Sequence, residues 1–256
     1  MKLTFDHISA SYQKKTILDG ISFTAESGQF TAVIGRNGAG KSTLLHCLTG
    51  EKRDYTGQIW LDEQDVRTLK PESLARKAAC LPQNLPLPHV TVRELVVFGR
   101  TPHRSLLQRL SAQDEEHILR AIRAVGMEPF AEAFVDTLSG GERKKAFFAM
   151  TIAQDTPLVI LDEPTVHLDA ASRFEMLDLI TKLCLSMQKT FLVVMHDLPE
   201  VLQFADRIIA IHDGRVAFDG TPDELLSQRI PQRLFGIRIS GSREQGYAAL
   251  PLHSTE

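Results

Sequence analysis

Gly35-Arg36-Asn37-Gly38-Ala39-Gly40-Lys41-Ser42 is the stretch on which the fold turns. It fits GxxxxGK[ST], and its surroundings are those the pattern demands. Phe30 to Gly35 is a mostly apolar run of strand length that leads straight into the glycines; after the loop, Ser42-Thr43-Leu44-Leu45-His46-Cys47-Leu48 has apolar residues at helical spacing and stops at Gly50. Strand, glycine-rich loop and helix make a βα unit, the building block of a parallel sheet. The glycines let backbone N–H groups turn toward phosphate oxygens, and a helix starting near Lys41 aims its positive end at them. Lys41 is expected to reach β- and γ-phosphates and Ser42 to hold magnesium, so a nucleotide is the implied ligand. A glycine-rich turn without ligand would not account for the Lys-Ser pair that follows.

Outward from that loop, Leu3, Phe5 and Ile8, then Ile21 and Phe23 after Asp19-Gly20, read as strands, as does Gln58 to Asp62. Pro82, Pro86 and Pro88 keep the next segment extended. From Thr91 to about Gln154 the pattern is helical, with Leu95, Val96 and Phe98, then Ile118, Leu119, Ile122 and Val125. Leu158 to Leu161 and Phe191 to Val194 are short, wholly apolar runs, as expected of strands covered on both faces. Ile208 to Ile211 and Arg215 to Phe218, split by Asp213-Gly214, predict a hairpin. The organisation expected is a nucleotide-binding core over 1–84 and 155–228, a helical insertion over 85–154, and a tail over 229–256. Gly241-Ser242-Arg243-Glu244-Gln245-Gly246 predicts a flexible end.

Composition narrows the class. With 256 residues and 43% hydrophobic content the chain can bury a full core. Its 29 basic and 32 acidic residues leave a net charge of -3, which gives no electrostatic reason to expect nucleic acid. The longest apolar runs fall far short of the roughly 18 residues a membrane helix needs, and the start, Met1-Lys2-Leu3-Thr4-Phe5-Asp6-His7, does not read as a signal peptide. Cys47, Cys80 and Cys184 stand apart with no CxxC pair, which fits incidental thiols in a reducing compartment.

Two further motifs carry chemistry. Asp162 and Glu163 end the run Leu158 to Leu161, where a carboxylate can meet a nucleotide's magnesium and a second can polarise water for attack on the γ-phosphate. In isolation the pair would read as two solvated acids. Leu138-Ser139-Gly140-Gly141-Glu142 predicts a helix opened by Ser139 whose bare glycine N–H groups form a second anion site. This stretch resembles the LSGGE signature that, beside a phosphate loop, marks the ATP-binding cassettes of ABC transporters, and the likeness covers nearly the whole chain. It implies an α/β P-loop NTPase (RecA-like) core with an antiparallel β subdomain and an inserted α-helical subdomain, the ABC nucleotide-binding domain. ATP and Mg2+ are the implied ligands, shared between two copies in a head-to-tail dimer.

The resemblance also assigns residues. ATP falls to Gly35, Arg36, Asn37, Gly38, Ala39, Gly40, Lys41, Ser42 and Thr43, to Tyr12 stacked on adenine, and to Ser139, Gly140, Gly141, Glu142 and Asp169 across the dimer. Metal falls to Ser42, Gln83 and Asp162, and catalysis to Glu163, His196, Lys41 and Gln83. For Tyr12 the alternative is a strand aromatic in the core. Gly99-Arg100-Thr101-Pro102-His103 and the His167 before Leu168-Asp169 resemble the importers of iron-siderophore complexes, haem and vitamin B12. That branch implies transmembrane permease subunits, a solute-binding protein acting indirectly, and a place on the cytoplasmic face of the membrane. A soluble ABC ATPase of the iron-sulfur assembly type is the alternative. Two departures stand out: Lys144-Lys145 after Glu142-Arg143, and Arg36 in the phosphate loop, where proline or serine is common.

Overall fold

The computed structural model describes residues 1–13, 15–104 and 109–252. In chain order the first elements are β1 (Leu3–Tyr12), β2 (Lys15–Ala25), β3 (Phe30–Ile34), α1 (Lys41–Thr49), β4 (Tyr55–Leu61) and β5 (Gln64–Asp65). Then come α2 (Pro71–Ala75), β6 (Ala78–Leu81), α3 (Val92–Phe98), α4 (Ala112–Ala124), α5 (Gly140–Ala153), β7 (Leu158–Asp162) and α6 (Ala170–Met187). The chain closes with β8 (Thr190–Val194), α7 (Leu198–Phe204), β9 (Arg207–His212), β10 (Arg215–Gly220), α8 (Pro222–Ser227), β11 (Ile237–Ser242) and β12 (Gly246–Pro251). These sort into two compact units, one of Met1–Thr68 with Thr190–Glu256, the other of Leu69–Lys189.

The first unit holds two larger sheets. One is antiparallel, in the order β2-β1-β4-β5. Leu3 and Phe5 face inward with the period of 2 of a strand with one buried face, the register shifts between Phe5 and Ile8 where His7 sits at φ 52°, and Ile8 and Ala10 resume the alternation; Phe5 stacks on Phe23 with ring centres 4.6 Å apart. In the other the strands run β10-β9-β3-β8, with β3 parallel to both neighbours and β9–β10 forming the hairpin expected at Asp213-Gly214. Every residue of β3 and of β8 is buried, Thr31 and Thr190 included, which is why these segments read as mostly apolar runs rather than alternating ones. α1 sinks Leu44, Leu45, Cys47 and Leu48. It stops at Gly50, whose φ of 82° is a left-handed cap.

The second unit pairs β6 with β7 in parallel, Ala78 opposite Leu158 through Leu81 opposite Leu161. Its helices α3, α4 and α5 bury Val92, Leu95 and Val96, Ile118 and Ile122, and Phe147 and Phe148. Thr91 and Ser111 close α3 and α4 with reciprocal capping boxes to Glu94 and Asp114. Gly99, after α3, lies so near the Met150 carbonyl that no Cβ would fit, and Arg100 beside it is buried. The Arg100 guanidinium donates to Asp114 Oδ1 at 2.9 Å and to the Ala153 carbonyl at 2.7 Å, and His103 reaches the Gln154 carbonyl at 2.8 Å. The Gly99-to-His103 stretch therefore staples the helices of this unit together.

One expectation is corrected. The tail does not run on as a flexible end: β11 and β12 pair in register from Ile237 opposite Pro251 to Ser242 opposite Gly246. Gln203 of α7 donates to the Arg243 carbonyl at 3.0 Å while Arg243 donates back to the Gln203 carbonyl at 3.1 Å. Residues 253–256 of that tail lie outside the described residues. β6, which ends just before Pro82, is a strand that the sequence reading did not single out.

Candidate functional site

The phosphate loop leaves β3 at Gly35, where a side chain would run into the Ile211 carbonyl 2.5 Å away. The Ala39 N–H donates to the Arg36 carbonyl at 3.1 Å and tightens the loop, and Gly40 enters α1 at φ 105°, a conformation that L side chains rarely adopt. Gly40 offers no side-chain cap, and the first helical bond runs from Leu44 N–H to the Gly40 carbonyl at 2.9 Å. The N–H groups of Ser42 and Thr43 lie in the first helix turn, where the helix supplies no acceptor of its own. Lys41 is 6% exposed, and its Nζ donates to the Gly35 carbonyl at 2.8 Å and the Arg36 carbonyl at 3.4 Å. A helix start without a side-chain cap and a buried ammonium around a glycine cradle suit an acceptor-only, highly charged ligand, as a nucleotide's phosphates are.

Arg36, Asn37 and Gly38 form the exposed rim of the loop and border a cavity of about 220 Å³ with His212 and Asp213, two residues sequence reasoning did not single out. Tyr12, at the end of β1, is 47% exposed, so it is not a core aromatic. The Lys52 ammonium sits 4.4 Å from its ring centre and 2.7 Å from Asp54 Oδ1. His196 follows β8 and Met195 and is exposed, just before Asp197 caps α7.

In the second unit, β7 ends at Asp162 and the chain turns at Glu163 with φ 49°. Gln83 Nε2 donates to Glu163 Oε2 at 2.8 Å, so two of the expected site residues meet in a contact that the sequence did not suggest. Ser139 caps α5: its N–H and hydroxyl donate to Glu142 Oε2 at 2.9 and 2.6 Å, and its oxygen accepts from the Glu142 N–H at 3.3 Å. The Ser139 hydroxyl, and then its N–H, hold the Glu142 carboxyl below the usual range. Gly140 has open space where a side chain would be, while at Gly141 a Cβ would lie 3.3 Å from Ser172 Oγ. Asp169 caps α6 through Ser172, accepting from its N–H and its hydroxyl at 2.9 Å each. The Ser172 N–H, with the hydroxyl, keeps the Asp169 carboxyl below the ordinary carboxylate value.

Among the described residues, no group of three or more His, Cys, Asp or Glu side chains could hold a metal by itself. Asp162 carries a single carboxylate at the end of β7, a donor set that suits a magnesium ion whose other ligands are phosphate oxygens. The structure brings together Gly35 to Thr43 in one unit and Gln83 with Glu163 in the other; Ser139 to Glu142 and Asp169 stand at the starts of two helices of that second unit.

The sequence profile described as ABC transporter matches residues 18–166. The chain belongs to the ABC transporter family. Among its relatives, the petrobactin import ATP-binding protein FpuD of Bacillus anthracis is 40% identical over 93% of this chain and 87% of its own length. The ferric enterobactin transport ATP-binding protein FepC of Escherichia coli (strain K12) is 36% identical over 93% of this chain and 88% of its own. Among solved structures, a transporter assigned to the metal-chelate type, in an inward-facing conformation, superposes with a TM-score of 0.84 at 25% identity over 99% of this chain and 98% of that one. The ABC fold, with its P-loop core, antiparallel β sheet and helical insertion, accounts for the elements above, and the chain is an ABC-type ATPase.

Proposed function

We propose that this ABC subunit uses ATP binding and hydrolysis to drive uptake of an iron chelate, a ferric siderophore first among the candidates, through a separate membrane permease. The observation that carries the hydrolytic half is the Gln83–Glu163 contact at 2.8 Å, which holds a carboxylate at the end of β7. The import half is supported by relatives named for ferric enterobactin and petrobactin transport. Haem and cobalamin, which are metal chelates too, are the other cargoes of this reading.

In this reading Gly35 to Thr43 hold the phosphates, with Lys41 on the β- and γ-groups. Tyr12 stacks on the adenine. Ser42, Gln83 and Asp162 hold Mg2+, which when bound neutralises charge on the transferring phosphate. Glu163 takes the proton of the attacking water and His196 contacts the γ-phosphate. Ser139, Gly140, Gly141, Glu142 and Asp169 act on the nucleotide of a second copy, so the active form is a head-to-tail dimer. ATP draws the two copies together, hydrolysis releases them, and the permease follows. Relatives named as transport and import ATP-binding proteins support a peripheral subunit on the cytoplasmic face, served indirectly by a solute-binding protein; no helix among the described residues is long and apolar enough to cross a membrane. The relatives favour this over the soluble iron-sulfur assembly type.

Purification of the natively expressed chain with its membrane fraction tests the import half. A permease of a metal-chelate importer is expected to come with it; recovery of soluble assembly factors alone, with ATPase activity intact, would sink the transport reading. For the hydrolytic half, Glu163→Gln is expected to keep ATP binding and nearly abolish phosphate release, and undiminished release would remove Glu163 from the chemistry.

A further inference from the structure

The turn that carries Glu163 is held from behind by a side chain outside the set named above. Lys144 lies in the second turn of α5, and only 5% of its surface is exposed. Its Nζ donates to the Glu163 carbonyl at 3.3 Å and to the Val166 carbonyl at 3.4 Å. Those carbonyls bracket one turn, which the Val166 N–H closes by donating to the same Glu163 oxygen at 3.2 Å. Glu163 and, just beyond, His167 sit at φ 49° and 66°, a backbone region that non-glycine residues keep only where their surroundings enforce it. A buried ammonium is costly unless it is paired. Here burial pulls the Lys144 pKa down while the Glu163 and Asp162 carboxylates push it back up, so this cation is tied electrostatically to the end of β7. Beside it, a cavity of about 200 Å³ bordered by Gln83, Gly140 and His167 leaves the turn room to move once the ammonium is gone.

We propose that Lys144 is a positioning residue for ATP hydrolysis: by gripping the carbonyls of Glu163 and Val166 it holds the turn that presents the Glu163 carboxylate. The proposal rests on Glu163 being the base. Lys144 also belongs to the helix that Ser139 opens. In the dimer proposed above that helix serves the partner's nucleotide, so one ammonium joins the two ATP sites within a single chain.

The test is steady-state ATP hydrolysis by the purified full chain with Mg2+, comparing Lys144→Met, Lys144→Gln, Glu163→Gln and Lys144→Met combined with Glu163→Gln. Lys144→Met, which keeps the length and loses the donors, is expected to lower kcat about 10- to 100-fold, the scale of a misplaced catalytic group. KM for ATP should move by less than about threefold, because phosphate binding is assigned to another segment. Lys144→Gln, whose amide can donate to a carbonyl of the turn, should recover most of the rate. The double variant should lose little beyond Glu163→Gln, since both act through one carboxylate. Wild-type kcat in Lys144→Met, a loss confined to KM, a Lys144→Gln rate as low as that of Lys144→Met, or full additivity would each overturn the proposal. Should Lys144→Met not fold, the Lys144→Gln rate decides: near wild type supports the role, and a loss of 10-fold or more on the same scale overturns it. Wild-type turnover in Glu163→Gln overturns the reading beneath as well, whereas loss in Glu163→Gln with none in Lys144→Met overturns the proposal alone.

Discussion

Lys41 shows how much one side chain can hold. With 6% exposure, its ammonium is satisfied by the carbonyls of Gly35 and Arg36, the loop that it is expected to serve. The charge is thus already placed, and a phosphate gains it at little cost in side-chain ordering. Lys41→Ala removes a charge-assisted contact of about 1.5–3 kcal/mol, or roughly 10- to 150-fold in affinity. Titration calorimetry with ATP should read that weakening; unchanged affinity would place the phosphates elsewhere. The chemistry of Lys41 was legible because it is local, a motif of eight neighbouring residues. Lys144 was not. A lysine in a helix reads as solvated, and only the folded chain places its ammonium on two carbonyls of a turn some twenty residues on.

At the scale of elements, the helical insertion is locked by the Arg100–Asp114 pair. Burial raises the Asp114 carboxyl, but the Ser111 hydroxyl and the Arg100 guanidinium outweigh it and leave the pKa at about 2, below the ordinary 3.8. A carboxylate depressed in the folded state stabilises fully above its unfolded value and loses that contribution as pH falls through its folded one. Asp114→Asn should therefore lower the urea midpoint near neutral pH, and its deficit against the wild type should narrow as pH falls from about 4 toward 2. A deficit independent of pH would mean that the pair's charge is not what stabilises. Arg100 and His103 appeared in sequence only as part of a branch resemblance; their hydrogen bonds give the stretch a packing role that resemblance alone does not convey. β6 escaped notice because Ala78-Ala79-Cys80-Leu81 has no β-branched residue, and the hairpin of β11 and β12 because its polar, glycine-flanked turn over 241–246 has the composition of a flexible end. The largely apolar β3, β7 and β8 were legible for the opposite reason, since burial on both faces writes itself into composition.

For the whole molecule, the proposed cycle is one of association. Glu163→Gln with ATP should double the mass seen by light scattering, while ADP should leave a single chain; a monomer under both conditions would contradict the shared site. The start of α5 bears on that step. Ser139 is already engaged, its N–H and hydroxyl both directed at the Glu142 carboxylate. A γ-phosphate reaching it from a second copy does not fill a vacancy; it exchanges one anion for another. The chain carries its own competitive ligand, tethered three residues away. Closing the dimer becomes a contest whose outcome depends on how many negative charges the incoming nucleotide brings.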